Sequence, residues 1–198
     1  MNKKKIITAF ILLVYMVLGT FFLASCGGDP ALESFAKAIS ETKPATVEGA
    51  MDMYTEFGPL NVTYTASIAS DGSFVLKYEY DKFNDIATGG SADVTSTIKG
   101  EVTYKDGAYS DTALAAKIPA EATAVKVDLD EDKMTYTVSE DGNVLAATVK
   151  AADTKDVLGV EYAADVNLVL TKAEDKIVSL SLTYTLTEGK VEVVCNYK

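Results

Sequence analysis

The chain has 198 residues, with 18 lysines and no arginine against 29 acidic residues, for a formal charge of −11. So negative a surface repels phosphate backbones and anionic headgroups, which excludes nucleic acid as an expected partner. His, Trp, Arg and Gln are absent. Without imidazole there is no Ser-His-Asp or Cys-His nucleophile and no histidine-containing zinc site. Without guanidinium there is no bidentate clamp on carboxylate or phosphate. No cofactor and no catalytic residue is expected, and the chain is read as a non-enzyme.

The N-terminus carries the clearest signal. Lys3, Lys4 and Lys5 precede an apolar run from Ile6 to Phe22, followed by Leu23-Ala24-Ser25-Cys26. A basic start, an apolar run and small residues before a cut site make a secretory signal over residues 1–25. Leu23-Ala24-Ser25-Cys26 resembles the lipobox of bacterial lipoproteins. The resemblance implies that the Cys26 thiol is diacylated, that cleavage falls before it, and that Cys26 becomes the first residue of the mature chain. The alternative is an uncleaved membrane helix, since the run is near the lower limit of what spans a bilayer, about 17 residues. Either reading puts the rest of the chain at the outer face of the cytoplasmic membrane, held there through the N-terminus. Residues 26–29 form the lipidated cysteine and a short linker, and 30–198 a single β-rich domain.

Asp29-Pro30 reads as an N-cap followed by proline at the first helical position. Leu32, Phe35, Ala36 and Ile39 then form one apolar stripe, ended by Lys43-Pro44. A weaker helical turn is expected in Thr112–Lys117. Nearly everything else has period two. A first strand lies around Val47–Met53. Leu60, Val62, Tyr64, Ala66 and Ile68 form the next apolar face, then Phe74, Leu76, Tyr78 and Tyr80 after Asp71-Gly72. Val94, Ile98, Val102 and Tyr104 share one side of a long strand, and Asp106-Gly107 turns it into a short one near Tyr109. Val125, Val127 and Leu129 face one way, as do Met134, Tyr136 and Val138. Asp141-Gly142 leads into Leu145, Ala147 and Val149. The last three strands are Val160–Leu170, Val178–Leu186 and Val191–Tyr197. Asn84–Ser91 reads as a plain connection.

The expected fold is therefore mainly β: a curved antiparallel meander of about ten strands with one short amphipathic helix at its N-terminus. Ten strands about 4.8 Å apart make a flat sheet roughly 45 Å wide. One helix of three turns, about 16 Å long, cannot cover it. Each large apolar side chain left in water forgoes about 1.5–3 kcal/mol, so the sheet must curl into a closed barrel or a half-barrel with the helix in its mouth.

A lipid-anchored domain with this order of elements over residues 30–198 resembles the lipoprotein-carrier fold, which includes the Lol carriers of Gram-negative bacteria and mycobacterial lipid-carrier lipoproteins (LolA/LppX-like). The resemblance implies a half-barrel holding a lipid or other hydrophobic ligand. Its wall would come from the apolar faces: Tyr64, Leu76, Tyr78, Ile98, Val102, Tyr136, Leu168, Leu180, Leu182 and Tyr184. The alternative function is an envelope interaction or structural module with a filled core, and a bulky side chain at inward Ala66 or Ala164 would separate the two. Asp128, Asp130 and Asp132 have the spacing that opens a calcium loop, but Lys133 stands where glycine is needed and Ser139 where glutamate is needed. An acidic turn is the expectation there. Cys195 alternates with Val191, Val193 and Tyr197 and is read as a buried small hydrophobe.

Overall fold

The computed structural model describes residues 29–55, 58–83, 94–110, 118, 120–186 and 189–198. Cys26, the signal segment, Asn84–Ser91 and the helical turn expected in Thr112–Lys117 lie outside them.

Ten antiparallel strands form one open, curved sheet. They are β1 (Thr46–Thr55), β2 (Gly58–Ile68), β3 (Phe74–Phe83), β4 (Val94–Lys105), β5 (Ala108–Tyr109), β6 (Met134–Val138), β7 (Val144–Val149), β8 (Val166–Ala173), β9 (Lys176–Leu186) and β10 (Gly189–Tyr197). The spatial order is β5-β4-β3-β2-β1-β10-β9-β8-β7-β6. The first strand thus pairs with the last, Val47 opposite Tyr197 and Met53 opposite Val191, and the sheet's edges fall in mid-sequence. Of the two closures open to such a sheet, the chain adopts the half-barrel.

Asp-Gly pairs make three of the turns. Asp106 and Gly107 both have positive φ, at 53° and 82°, the geometry that matches hairpin twist. Asp71 and Asp141 accept hydrogen bonds from the N–H groups of Ser73 and Asn143, at 3.0 and 3.1 Å.

Helix α1 (Pro30–Glu41) starts where expected, with the Asp29 carboxylate accepting from the Ala31 N–H at 2.8 Å. Its buried side is Leu32, Phe35 and Ala38, with Ile39 half-buried. Ala36 is exposed, because the face is centred on Phe35 and on Thr42 beyond the end, and Ala36 lies to one side of it.

One expected strand is absent and another begins later than expected. Val125–Leu129 alternates in sequence but lies in the β5–β6 connection after a short helix, α2 (Ala120–Ala124), with Val125 at φ 54°. Val125 and Val127 are buried there against the sheet's inner face rather than within the sheet. The segment Val160–Leu170 is a strand only from Val166. Before it come a 3₁₀ turn (Ala151–Asp153) and α3 (Thr154–Leu158), ended by Gly159 at φ 72°. Ala164 is consequently exposed, whereas Ala66 is fully buried.

One apolar core fills the curl. It combines the inner face of the sheet with Leu32, Phe35 and Ala38 of α1, with Ile118, Ala120, Ala122, Val125 and Val127, and with Val157 and Leu158. The helix therefore shares the concave side with two connections whose covering role was not expected.

Candidate functional site

Register brings all ten wall candidates to the inner face. Ile98 on β4 is the first of one line of opposed residues that runs through Tyr80, Val62, Met51, Val193, Leu182, Leu168 and Ala147 to Tyr136 on β6. The next line holds Gly100, Tyr78, Tyr64, Gly49, Cys195 and Leu180. Leu76 opposes Val102, and Tyr184 opposes Val191.

The two halves of this face differ in cover. Leu168, Leu180 and Leu182 are wholly enclosed, and Tyr184 is 2% exposed. Leu76, Val102 and Tyr64 are buried too, but Tyr78, Tyr80 and Ile98 on β3 and β4 are half-buried. Tyr136, at the opposite edge, is half-buried beside the start of α1.

Two glycines shape the β2–β4 wall. Gly49 and Gly100 stand at inward positions of β1 and β4, opposite Tyr64 and Tyr78. A Cβ on Gly49 would lie 2.0 Å from Tyr64 Cζ, and one on Gly100 would lie 2.3 Å from Tyr78 Cζ. The two rings therefore lie down on neighbouring strands, Tyr64 over β1 and Tyr78 over β4, and splay away from each other. Tyr78 also runs nearly parallel to Tyr80, with centroids 6.5 Å apart and planes at 13°. The result is a shallow, largely apolar strip of two phenol rings and Ile98. Sequence reasoning passed over Tyr80, Gly49 and Gly100 as site residues. Glycine in the inward phase of a strand is the signal for a close ring or ligand.

Two polar pairs lie along the wall. Tyr64 Oη and Cys195 Sγ lie 3.0 Å apart, and burial pushes the Cys195 thiol up to about 11, so it is neutral and shielded. Tyr136 donates to Asp29 Oδ2 at 2.7 Å, and burial, reinforced by that hydrogen bond, raises its phenol to about 12.

Two open concavities are rimmed by charged side chains. One, of about 610 Å³, lies over β2–β4 among Thr63, Thr65, Lys77, Glu79, Lys99 and Glu101 and is also lined by Tyr64, Tyr78 and Gly100 of the wall strands. There Lys77 pairs with Glu101 at 3.4 Å and Lys99 with Glu79 at 3.1 Å, all exposed. The other, of about 310 Å³, lies between α1 and Asp128–Glu131. Its Asp130 accepts from the Asp132 N–H at 3.0 Å and pairs with Lys133 at 3.4 Å, which makes the acidic run a turn. Among the described residues no three carboxylates or thiols gather as a metal-ligand set.

No protein-family model matches the chain, and no curated protein matches it in sequence. Among solved structures it is similar to LprF from Mycobacterium bovis, at 13% identity over 84% of this chain and 91% of that one, with a TM-score of 0.40. It is also similar to a domain assigned to outer membrane lipoprotein sorting in Vibrio parahaemolyticus, at 10% identity over 84% and 89%, with a TM-score of 0.34. A dehydratase domain of curacin polyketide synthase follows at 9% identity and 0.22. These are distant likenesses of chain path.

Proposed function

We propose that the protein is a cell-envelope lipoprotein that binds a lipid acyl chain, or a ligand equally apolar, against the inner face of β2–β4. The observation that carries this reading is the half-buried strip Tyr78, Tyr80 and Ile98 inside a curled sheet whose β8–β10 half is sealed. Burying such a strip under hydrocarbon gains about 25 cal/mol per Å² of apolar surface, and its flattened rings present faces rather than hydroxyls. Tyr64, Leu76 and Val102 continue the strip toward the core.

The anchor is the lipid on Cys26, which places the domain at the outer face of the cytoplasmic membrane, one short linker from the bilayer. Two acyl chains give stable attachment. The role is binding, without a chemical step. A sequence lacking His and Arg, and a Cys195 thiol that burial keeps protonated, support that part of the reading.

A second reading, an interaction module with a filled core, is favoured by one observation: Leu168, Leu170, Leu180 and Leu182 have no exposed surface. Titration of residues 27–198 with the fluorescent fatty acid cis-parinaric acid separates the two. Saturable binding at one site is expected; fluorescence that never saturates would favour the filled module.

A further inference from the structure

The antiparallel strands give the half-barrel two distinct ends. The Asp71-Gly72, Asp106-Gly107 and Asp141-Gly142 turns lie at one end, together with the β8–β9 turn. β1, β3 and β9 finish at the other, at Thr55, Phe83 and Leu186. Helix α1 runs toward the Asp-Gly end, where the Ile177 N–H of β9 donates to the Thr42 hydroxyl at 2.8 Å and β1 begins at Thr46. The chain therefore joins the helix from the opposite end. Its point of entry is fixed through both oxygens of one carboxylate: Asp29 Oδ1 accepts from the Ala31 N–H at 2.8 Å, and Oδ2 accepts from Tyr136 of β6 at 2.7 Å. Asp29 and Glu33 border the same concavity as Asp128–Glu131, the residues that lead into β6.

The apolar face of β2–β4 opens at that same end. Along β4 the inward residues pass from buried Val102, through half-buried Gly100 and Ile98, to exposed Ser96. Along β3 they pass from buried Phe74 and Leu76 to half-buried Tyr78 and Tyr80. On β2, Leu60 is half-buried, whereas Val62, Tyr64 and Ala66 below it are buried. An open curled sheet has its gap between its outermost strands. Here those are β6 on one side and, above the short pairing of Tyr104 with Tyr109, β4 on the other. Tyr136, which holds the entering chain, and Ile98 of the open strip thus stand on the two rims of the gap, at opposite ends of one row.

Resting on the Cys26 anchor and the apolar-ligand reading above, we infer that the domain stands with this open end toward its own bilayer, and that the ligand passes directly between that bilayer and the strip of Tyr78, Tyr80 and Ile98. Three peptide bonds join Cys26 to Asp29, a reach of at most about 11 Å. The 12 residues of α1 then carry the chain about 18 Å farther from the anchor, to Thr42 and the Asp-Gly end. One tether thus keeps the uncovered end of the apolar face near the headgroups and the Asp-Gly turns away from them. The surface that this end fits is a lipid bilayer, and the occupant is an acyl chain drawn from it.

The test uses the full lipidated chain in phosphatidylcholine vesicles that contain a lipid with a headgroup nitroxide. Cysteines introduced one at a time carry a bimane label: Tyr54→Cys and Glu131→Cys toward the open end, Lys105→Cys and Asp175→Cys at the Asp-Gly end, all at exposed positions. Cys195 is buried, and an acylated Cys26 takes no label. Quenching at 54 and 131 is expected to exceed that at 105 and 175 about threefold, because the tether holds one end near the headgroups. Ten Gly/Ser residues inserted between Gly28 and Asp29 lengthen the tether to roughly 20 Å. The quenching ratio should then fall toward one, and transfer of cis-parinaric acid from the vesicle to the protein should slow about tenfold. Equal quenching at all four positions, or stronger quenching at 105 and 175, overturns the inference. So does a transfer rate that ignores the length of the tether. Labels quenched nowhere would remove the anchor, and the inference with it. If residues 27–198 fail to bind the fatty acid while the end preference holds, the apolar-ligand reading falls and the orientation stands. Two labels at each end keep the comparison intact if one variant fails to fold.

Discussion

The ring of Tyr64 lies across the backbone of Gly49, so close that any side chain there would stand inside it. Gly49→Ala is therefore expected to lower stability by about 1–3 kcal/mol, the cost of overpacking a dense core. In a Tyr64→Leu background the added penalty should shrink to a few tenths of that, because the clash has gone. Urea denaturation of the four proteins measures the coupling. An undiminished penalty in the Tyr64→Leu background would place the strain elsewhere.

Thr42 joins helix to sheet through one hydroxyl. Thr42→Val keeps the shape but leaves the buried Ile177 N–H without its partner, at an expected cost of about 1–3 kcal/mol. Thr42→Ser should recover most of it. Denaturation midpoints at constant slope are the readout.

Cys195 sets a direction for alkaline stability. Burial opposes its thiolate and raises the folded value to about 11, against about 8.5 for a free thiol. Between these values the unfolded chain holds fewer protons than the folded one, so stability must fall as pH rises. It should be level below about pH 8.5 and decline by roughly 2–3 kcal/mol by pH 11. Tyr64 and Tyr197, also raised by burial, push the same way from about pH 10, where phenols of the unfolded chain begin to ionise. Cys195→Ala should therefore flatten the stability curve between about pH 8.5 and 10. A thiol reagent at pH 8 should leave the folded chain unmodified and label it only on unfolding.

Ile98 is half-buried, so Ile98→Glu should be tolerated in the fold, with a loss of about 1 kcal/mol. A carboxylate in an apolar contact is costly to desolvate, so fatty-acid binding should weaken at least tenfold. Val178→Glu, at an exposed outward position, is the control and should bind normally.

If Cys26 carries lipid, the full chain expressed in a bacterium should partition into the detergent phase of Triton X-114. Cys26→Ser should move it to the aqueous phase. Equal partitioning of both would contradict the anchor.

Sequence made the strands legible where alternation was strict and local. Val191, Val193 and Cys195 point inward as their spacing implies, and Asp106-Gly107 turns the chain with the dihedrals such a pair favours. The β1–β10 pairing was not legible, because it joins segments about 140 residues apart and depends on their register in space. Val125–Leu129 misled for a physical reason. Its alternation matches a strand, but a positive φ at Val125 bends the chain into the concave side, where the same valines serve as filler. Ala164 misled similarly, since the turn after α3 delays β8 until Val166. The wall residues were legible as one face. Which of them are sealed was not, because that depends on how α1 and the β5–β6 connection divide the cover between Leu182 and Tyr78.

The most direct measurement is native mass spectrometry of residues 27–198, secreted without the anchor cysteine, followed by organic extraction of the purified protein. A single added mass that extracts as a lipid or another apolar compound is the predicted result. A clean unliganded mass that persists after incubation with envelope lipids would contradict the binding role and leave the filled core as the better account.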